Sequence, residues 1–440
     1  MTETPDDRAA RQSRRRRRAR RGRQKAAAAG APATVPPPPP AVPPPAAAPL
    51  PPAAPVAEPV RARPKPATSS PQKAARVDGQ KAAPPAAPSQ AGDLRHDRGY
   101  PAARPSVPPF AALDLGTNNC RLLIARPSGE DFVVLDSFSR ITRLGEGVEA
   151  GGVLLEAAMD RTLRALKVCA AKLRRWPLAG VRLVATEACR RAGNATEFRA
   201  RVRDEAGLDL EIIPADEEAR LAVIGCAPLI DRGARRVIVV DIGGGSTELT
   251  VIAPDPEAPG GLRRVDWVSL ALGVVTMADR FGGGDVPPDT YRAMRAEVSG
   301  RLAELVARVD LDRHIADGAV QLVGTSGTLT TLAGVHFDLA SYDRDQVDGR
   351  EVAVAAMRET AERLRAMDLG DRGRHPCVGR SRADLVVPGA AILEGVCDAF
   401  PVASLTVADR GLREGMLYEM IAAHRASRRR PGRRGGRHGR

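Results

Sequence analysis

The sequence predicts an α/β protein built from two similar lobes with a cleft between them. From Phe110 onward, apolar runs of strand length alternate with amphipathic helical patterns, which is typical of the α/β class. Two segments also repeat, because ALDLGTNNCRL (112–122) matches VVDIGGGSTEL (239–249) with an offset of 127 residues. Each copy has a strand ending in Asp, a turn of small residues and a second apolar strand, so we expect each lobe to begin with such a hairpin.

Charge and composition separate a central body from two basic tails. The 440 residues carry a formal net charge of +14, but residues 1–107 alone hold 20 basic and 7 acidic residues. Residues 425–440 add eight Arg and no acidic residue. The Arg/Ala/Pro-rich arm, 1–107, has too few large apolar residues to offset its ordering entropy and is predicted to be disordered. Two interpretations of the tails remain open, contact with a polyanion and a purely solubilising role.

Several classes of protein are excluded or disfavoured by the sequence. No run of 18 apolar residues occurs, so no transmembrane helix and no membrane partner are expected. The Arg cluster 14–18 is followed by Ala and Pro rather than by a compact apolar segment, which disfavours a secretory leader. The six cysteines form no CxxC pair, and this favours reduced thiols in a cytoplasmic protein over a zinc site or a disulfide framework.

The elements of the body follow from hydrophobic periodicity and from Gly and Pro boundaries. The strands are predicted at 110–115, 122–125, 181–185, 210–214, 237–242, 320–323 and 404–407. The helices are predicted at 154–176, 197–207, 217–225, 291–309, 328–335, 351–367, 389–400 and 413–426. The β-branched run 237–242 is continuous, which is typical of a strand covered on both faces.

Three loops of small residues are candidates for binding phosphate. Glycine lets the backbone approach a ligand closely, successive N–H groups form an anion-binding concavity, and a helix N-terminus favours negative charge. A single loop of this kind is more often a tight turn, but three of them, two of which are related by the repeat, favour phosphate binding. No Walker A pattern is present. The candidate residues are Gly116, Thr117, Asn118, Asn119, Gly243, Gly244, Gly245, Ser246, Thr247, Gly324, Ser326 and Gly327.

Acidic side chains beside these loops are candidates for metal binding and proton transfer. Asp114 and Asp241 end strands and are suited to hold Mg²⁺ through carboxylate oxygens and water, although an Asp in this place also caps its own turn. Glu248 is a candidate ligand of a metal-bound water, or an exposed strand residue. Glu218 lies in the first turn of a predicted helix, where the helix dipole alone favours an acid. Arg190 is a candidate partner of phosphate oxygens.

Together these motifs resemble one family. Residues 110–424 are similar to the exopolyphosphatase/guanosine pentaphosphate phosphohydrolase (Ppx/GppA) family, a branch of the sugar kinase–Hsp70–actin superfamily. The matching segments are, in order, Asp114-Leu-Gly-Thr-Asn118, Thr186 with Arg190, Glu217-Glu-Ala-Arg-Leu221, Asp241-Ile-Gly-Gly-Gly-Ser-Thr-Glu-Leu249, Gly324-Thr-Ser-Gly-Thr328, Val387-Pro-Gly-Ala-Ala-Ile-Leu393 and Gly411-Leu-Arg-Glu-Gly415.

The resemblance implies a domain organisation. It assigns the actin-like, ribonuclease H-like first lobe to 108–230 and the second to 231–403. It implies that the strand and helix in 404–426 return to the first lobe, followed by the basic tail 427–440. The chain stops soon after Met420, so the sequence is expected to represent a short form without the helical C-terminal domain of longer members. Short members are often homodimers, and a homodimer is an open expectation here.

The resemblance also implies roles for the site residues. The loops 116–119 and 243–247 are expected to bind phosphate, Glu218 to act as general base for the attacking water, and Arg190 to contact phosphate. Asp241 and Glu248 are expected to place the divalent metal and that water. Two positions depart from the family pattern, because Asn119 replaces a Ser and Pro214-Ala215 replaces Ser-Gly.

The expected reaction is hydrolysis of the terminal phosphoanhydride of inorganic polyphosphate with Mg²⁺ or another divalent cation. Guanosine pentaphosphate is the alternative substrate, and the sequence does not separate the two. A non-catalytic polyphosphate- or nucleic-acid-binding protein and a kinase or ATPase of the same superfamily are further alternatives. The absence of a recognisable adenine-pocket motif disfavours the kinase.

Overall fold

The computed structural model describes residues 107–429. The predicted arm lies outside this range, apart from its last residue, Val107. Residues 430–440 of the predicted tail also lie outside it. Strands and helices alternate through the described part. No helix within it is long and apolar enough to cross a membrane.

The strands of the described part form two sheets. They are β1 (Phe110–Leu115), β2 (Asn119–Ser128), β3 (Asp131–Ile141), β4 (Gly180–Ala185), β5 (Glu211–Ile212), β6 (Arg236–Ile242), β7 (Thr247–Pro254), β8 (Leu262–Leu270), β9 (Val320–Thr325), β10 (Glu351–Ala353) and β11 (Ser404–Ala408).

The α-helices surround these sheets. They are α1 (Val148–Gly151), α2 (Glu156–Leu173), α3 (Glu187–Arg191), α4 (Ala195–Ala206), α5 (Ala215–Cys226), α6 (Val274–Phe281), α7 (Pro288–Val309), α8 (Asp312–Ala316), α9 (Gly327–His336), α10 (Arg344–Val347), α11 (Val354–Ala366), α12 (Leu369–Arg374), α13 (Val386–Ala399) and α14 (Leu412–Arg429).

The two sheets have the same core topology. The first has the order β3-β2-β1-β4-β5 and the second β10-β11-β9-β6-β7-β8. In each, three successive strands pair as an antiparallel meander, and the first of them, β1 or β6, also pairs in parallel with β4 or β9. Asp114 pairs with Arg121 and Asp241 with Glu248, so the offset of 127 residues holds on both hairpin arms. The predicted fold class, two duplicated ribonuclease H-like α/β lobes, is confirmed.

Strand β6 is covered on both faces, as its β-branched sequence predicts. Ile238 and Val240 pack into a large core with α7, α9 and α13. Val237 and Val239 face the other way and pack with Val223 of α5. All four are at most 2% exposed. Burial on both faces accounts for a run without polar alternation.

Helices α5 and α14 cross between the lobes. A Cβ added at Gly415 would lie 2.0 Å from the carbonyl oxygen of Leu221, and one added at Gly225 would lie 2.0 Å from that of Gly411. Only glycine permits this approach. Leu417 and Ile421 of α14 pack with Phe110 and Ala112 of β1, so the helix of segment 404–426 lies on the first lobe. The strand of that segment stays in the second sheet, where β11 pairs in parallel with β9.

Two element predictions need correction. Residues 351–353, predicted as the start of a helix, form strand β10, which pairs with β11, and the helix begins at Val354. The strand predicted at 210–214 is reduced to Glu211–Ile212, because Ile213 and Pro214 turn into α5. Pro214 is the N-cap of that helix. Proline suits this boundary, where its missing N–H is not needed.

Candidate active site

The two hairpin turns of the repeat have the same backbone geometry. The N–H of Gly116 donates to the carbonyl of Asn119, and the N–H of Gly243 donates to the carbonyl of Ser246, each over 2.9 Å. Asn119 closes its turn through the backbone, so the replacement of a Ser leaves this hydrogen bond intact. Both turns line one cleft between the lobes.

The two turns touch each other across the cleft. A Cβ added at Gly244 would lie 2.9 Å from Cβ of Thr117, and one added at Gly245 would lie 2.6 Å from the Thr117 hydroxyl. Both distances are shorter than normal contacts, so each position admits only glycine in this arrangement. At this point the backbone of the second turn packs directly against the Thr117 side chain of the first turn.

Polar atoms of the first turn are buried without a partner in the described protein. They are the hydroxyl of Thr117 and the side-chain oxygens of Asn118 and Asn119. Buried polar atoms are normally hydrogen-bonded, so an unsatisfied group next to a cleft indicates a place for a ligand or for water. All three residues line the cleft.

The third loop presents a helix N-terminus to the same cleft. Helix α9 begins at Gly327 after Ser326, whose φ of 88° lies in the left-handed region. The hydroxyl of Ser326 donates to the carbonyl of Ile242, which ties this loop to the end of β6. The side chain is therefore occupied, and the amides of the first turn of α9 are what the loop offers to an anion.

Two aspartates lie deep in the cleft, at the ends of β1 and β6. Burial raises the pKa of Asp241 to about 6, and the charge of Asp114 adds to this rise. Burial likewise raises the pKa of Asp114, against the lowering effect of Arg121 and then of Arg413. Each carboxylate thus disfavours the charge of the other. A cation between them would relieve this repulsion.

The predicted magnesium site is compatible with this pair only if water and substrate complete it. Among the described residues, no group of three His, Cys, Asp or Glu side chains could hold a metal ion. Mg²⁺ is usually bound by one or two carboxylates together with water and phosphate oxygens. The partnerless oxygens of Asn118 and Asn119 are acceptors to which such water molecules can donate. The residues therefore fit a hydrated Mg²⁺ held by Asp114 and Asp241.

Glu218 projects into the cleft from the first turn of α5. Its N–H donates to the carbonyl of Pro214, so the Pro214-Ala215 pair starts the helix that carries it. The side chain is 12% exposed, and its Oε2 accepts a 2.6 Å hydrogen bond from Nη1 of Arg190. Burial, and next the charge of Glu248, raise the pKa of Glu218 well above its ordinary value, while Arg190 lowers it.

Glu248 is buried, not exposed on its strand. It is 2% exposed and accepts a 2.7 Å hydrogen bond from the hydroxyl of Ser269. It pairs with Asp241 across the hairpin. Burial, and next the charge of Asp241, raise the pKa of Glu248 to about 7. Asp241, Glu248 and Glu218 thus form an electrostatically coupled set of carboxylates.

Arg190, predicted to contact phosphate, is bound to carboxylates in this structure. Its Nη1 donates to Glu218 and to the carbonyl of Ile213, over 2.6 and 3.0 Å. Its Nε and Nη2 donate to Oε2 of Glu187, over 3.0 and 2.8 Å. The guanidinium therefore joins two acidic side chains beside the glycine turns.

Most of the predicted residues line the cleft, but four do not. Lining positions are held by Asp114, Gly116, Thr117, Asn118, Asn119, Glu218, Asp241, Gly243, Gly244, Gly245, Ser246, Ser326 and Gly327. Glu248 and Arg190 lie behind this surface. Thr247 donates its hydroxyl to the carbonyl of Leu272 over 2.6 Å. A Cβ at Gly324 would lie 2.8 Å from Leu329. Thr247 and Gly324 therefore support the loops through contacts with the residues packed behind them.

The cleft also contains charged residues outside the predicted site. They are Arg121, Glu187, Arg382, Asp409, Arg410, Arg413 and Glu414. The repeat contained a signal for Arg121, since it occupies the position in the first hairpin that Glu248 has in the second. Arg413 and Glu414 lie in the motif 411–415, which was noted without a role. No local pattern marked Glu187 or Arg382.

Comparison with known proteins agrees with the sequence motifs. Residues 123–424 match the model of the Ppx/GppA phosphatase family. A Haemophilus influenzae protein, provisionally named an exopolyphosphatase, is 29% identical over 322 residues, which are 73% of this chain and 94% of that protein.

Solved structures of similar proteins share the fold. A Ppx/GppA family member from Aquifex aeolicus has a TM-score of 0.60 at 28% identity, over 72% of this chain and 98% of its own. A protein described as exopolyphosphatase-like has a TM-score of 0.65 at 27% identity, over 71% and 97%. An exopolyphosphatase from Cytophaga hutchinsonii has a TM-score of 0.64 at 25% identity, over 72% and 98%. The chain belongs to the Ppx/GppA phosphatase family.

Proposed function

We propose that this phosphatase removes the terminal phosphate of inorganic polyphosphate as orthophosphate. The observation that carries the proposal is the position of Glu218. Its buried carboxylate, with a raised pKa, lines the same cleft as the two glycine turns. A raised pKa makes a carboxylate a stronger base toward a water molecule. The names of the Haemophilus relative and of the Cytophaga structure support the choice of substrate.

The reaction needs few groups beyond those of the cleft. The amides of the turns at 116–119 and 243–246 bind the terminal phosphate and its bridging oxygen. Glu218 accepts a proton from a water molecule, whose oxygen attacks the terminal phosphorus. The bond from phosphorus to the bridging oxygen breaks, and its electron pair stays with the shortened chain. Phosphoryl transfer depends mainly on positioning and on stabilising charge, which loop amides and buried cations supply.

A divalent cation, Mg²⁺ in our proposal, would be held by Asp114 and Asp241. When bound, it would neutralise charge on the phosphate oxygens. Glu248, buried behind the cleft surface and paired with Asp241 across the hairpin, would help to place the metal and the attacking water through Asp241. Arg190 keeps the carboxylate of Glu218 turned toward the cleft through the 2.6 Å hydrogen bond.

Guanosine pentaphosphate is the second candidate substrate. The same attack on its 5′-terminal phosphate needs the same turns and the same base. The free arginines of the cleft, Arg121 and Arg382, carry no ion pair to a carboxylate among the described residues. They offer positive charge to either polyanion, so the choice between the two substrates is made by experiment.

Phosphate release from long-chain polyphosphate and from guanosine pentaphosphate, measured in parallel with Mg²⁺, tests the proposal. We expect release from polyphosphate at the higher kcat/KM. Faster release from guanosine pentaphosphate would show that this nucleotide, rather than polyphosphate, is the preferred substrate. Transfer of phosphate from ATP to an acceptor would indicate the kinase, and binding of polyphosphate without release would indicate a binding protein.

Location and partners complete the proposal. All six cysteines are free and buried, which supports a reducing compartment such as the cytoplasm. We propose that the Arg-rich segments, residues 1–107 and 427–440, attract the polyanionic substrate. A homodimer is proposed by analogy with short members of the family, and sedimentation velocity tests it.

A further inference from the structure

Glu187 is one of the carboxylates of the cleft, and it lies beside the second glycine turn. It is the first residue of the short helix α3 and lines the cleft with a side chain that is 13% exposed. A Cβ added at Gly245 would lie 2.9 Å from Cγ of Glu187. The side chain therefore lies against the second phosphate turn, where a negative charge opposes the binding of phosphate.

The carboxylate of Glu187 occupies one edge of Arg190. A guanidinium has five N–H groups. Two of those on Arg190 are directed at Oε2 of Glu187, one at Glu218 and one at the carbonyl of Ile213. One N–H, on Nη2, remains for another acceptor. The edge formed by Nε and Nη2, which binds carboxylate or phosphate in a bidentate manner, is thus taken by Glu187.

We propose that Glu187 is a positioning residue that competes with phosphate for Arg190. In the ligand-free cleft it holds Arg190 in place, and when a phosphate group arrives it gives up the Nε/Nη2 edge. Its charge lowers the affinity of the cleft for phosphate groups and so favours release of the orthophosphate product. This inference rests on the proposed function and adds to it a residue that sets substrate and product affinity.

A purely structural ion pair provides the comparison. The next residue in the helix, Arg191, pairs with Glu149 over 2.6 Å, and their side chains are 32% and 29% exposed. Neither residue lines the cleft. Glu149 and Glu187 are therefore each ion-paired with one of two adjacent arginines, but only Glu187 faces the place where phosphate would bind. Arg191 lies on the same helix as Arg190, so its partner Glu149 in α1 provides a control.

Substitution Glu187→Gln tests the proposal, because it removes the charge and keeps an oxygen that accepts from Arg190. Three quantities are measured: the Kd of inorganic phosphate by calorimetry, and KM and kcat with polyphosphate. We expect the Kd and KM to fall by about five-fold, the size expected of one unit charge near a partly solvated site. We expect kcat to stay the same or to fall, because product release slows.

Two further variants separate charge from packing. Glu187→Asp keeps the charge and is expected to leave the Kd within about two-fold of the wild-type value. Glu149→Gln removes the partner of Arg191 and is expected to change neither Kd nor KM. Thermal melting of each variant monitors folding. A general loss of structure would weaken phosphate binding, which is the opposite of the expected shift.

An unchanged or weaker phosphate Kd in Glu187→Gln would overturn the proposal, and so would an equal shift in Glu149→Gln. The calorimetric Kd does not depend on turnover. If the wild-type protein hydrolyses neither substrate while Glu187→Gln still binds phosphate more tightly, the proposed function fails and the competition for Arg190 stands.

Discussion

Buried acidic residues dominate the site at the scale of single side chains. Asp241, Glu248 and Glu218 are buried and interact electrostatically, and each has a raised pKa. Keeping such groups charged in the empty protein opposes folding. Their arrangement therefore has a measurable effect on stability.

Neutralising Glu248 is expected to stabilise the empty protein at alkaline pH. Its pKa is about 7 in the folded protein against an ordinary value of 4.5. Between these values the folded state binds a proton that the unfolded state does not, so this group makes the free energy of unfolding rise as the pH falls. We expect Glu248→Gln to raise that free energy by roughly 2 kcal/mol at pH 8 and little at pH 5.

Urea denaturation at both pH values, in metal-free buffer, measures this difference. Glu257→Gln is the control, because Glu257 is an exposed acid outside the cleft. A stabilisation by Glu248→Gln that is equal at pH 5 and pH 8 would contradict the burial argument.

The sequence located most of the site residues but could not reveal how they are paired. The turns at 116–119 and 243–246 are local, and their Gly and Asn residues predict them directly. Glu187 and Glu218 each lie in the first turn of a helix, where an acid is ordinary. The family resemblance singled out Glu218, whereas Glu187 is distinguished only by its contact with Arg190 in the structure.

At the scale of elements, glycines determine how closely helices α5 and α14 approach each other. Substitution Gly415→Ala in α14 would put a methyl group 2.0 Å from the carbonyl oxygen of Leu221 in α5. We expect a loss of about 2–4 kcal/mol in the free energy of unfolding, since the clash is with backbone that cannot move aside without separating the helices. Urea denaturation gives the value.

Gly300→Ala in helix α7 is the matched control. A Cβ added there meets nothing within 4 Å, and alanine is the better helix former. We expect this variant to be unchanged or stabilised by about 0.5–1 kcal/mol. If Gly415→Ala behaved in the same way, the close crossing of α5 and α14 would be refuted.

Long elements were predictable from periodicity, whereas short ones depended on tertiary pairing. Helix α7 and strand β6 appear within three residues of the predicted bounds. The strand β10 has three residues and precedes a helix, so its sequence joins the helical pattern without a break. Its pairing with β11, more than 50 residues away in the chain, decides its conformation.

At the scale of the whole molecule, one feature that joins the two lobes is an ion pair. Nη2 of Arg143, in the first lobe, donates to Asp384 of the second over 2.9 Å. The N–H of Arg143 donates to the carbonyl of Asn118, so the same residue supports the turn at 116–119. We expect Asp384→Asn to favour an open cleft, seen as a larger radius of gyration in small-angle scattering.

Asp266→Asn is the control for this variant, because Asp266 pairs with Arg308 over 2.7 Å within the second lobe. Its radius of gyration should equal that of the wild type. An Asp384→Asn protein with unchanged scattering would mean that the helices and turns alone hold the cleft closed.

The distribution of charge predicts how the protein meets its substrate. The arm 1–107 and the tail 427–440 carry all of the net positive charge, because the residues between them are net negative. We expect their deletion to raise the KM for polyphosphate several-fold at low ionic strength and to have little effect at high salt, where charges are screened. A KM that is unchanged at low salt would show that the arm and the tail do not attract the substrate.

In our proposal, Glu218 acts as the base between the turns at 116–119 and 243–246. The most direct test measures phosphate release by wild type, Glu218→Ala and Asp216→Ala. Asp216 is an exposed acid in the same helical turn. We predict that Glu218→Ala lowers kcat at least about 100-fold and that Asp216→Ala retains wild-type kcat. A Glu218→Ala enzyme with near wild-type kcat would contradict the account.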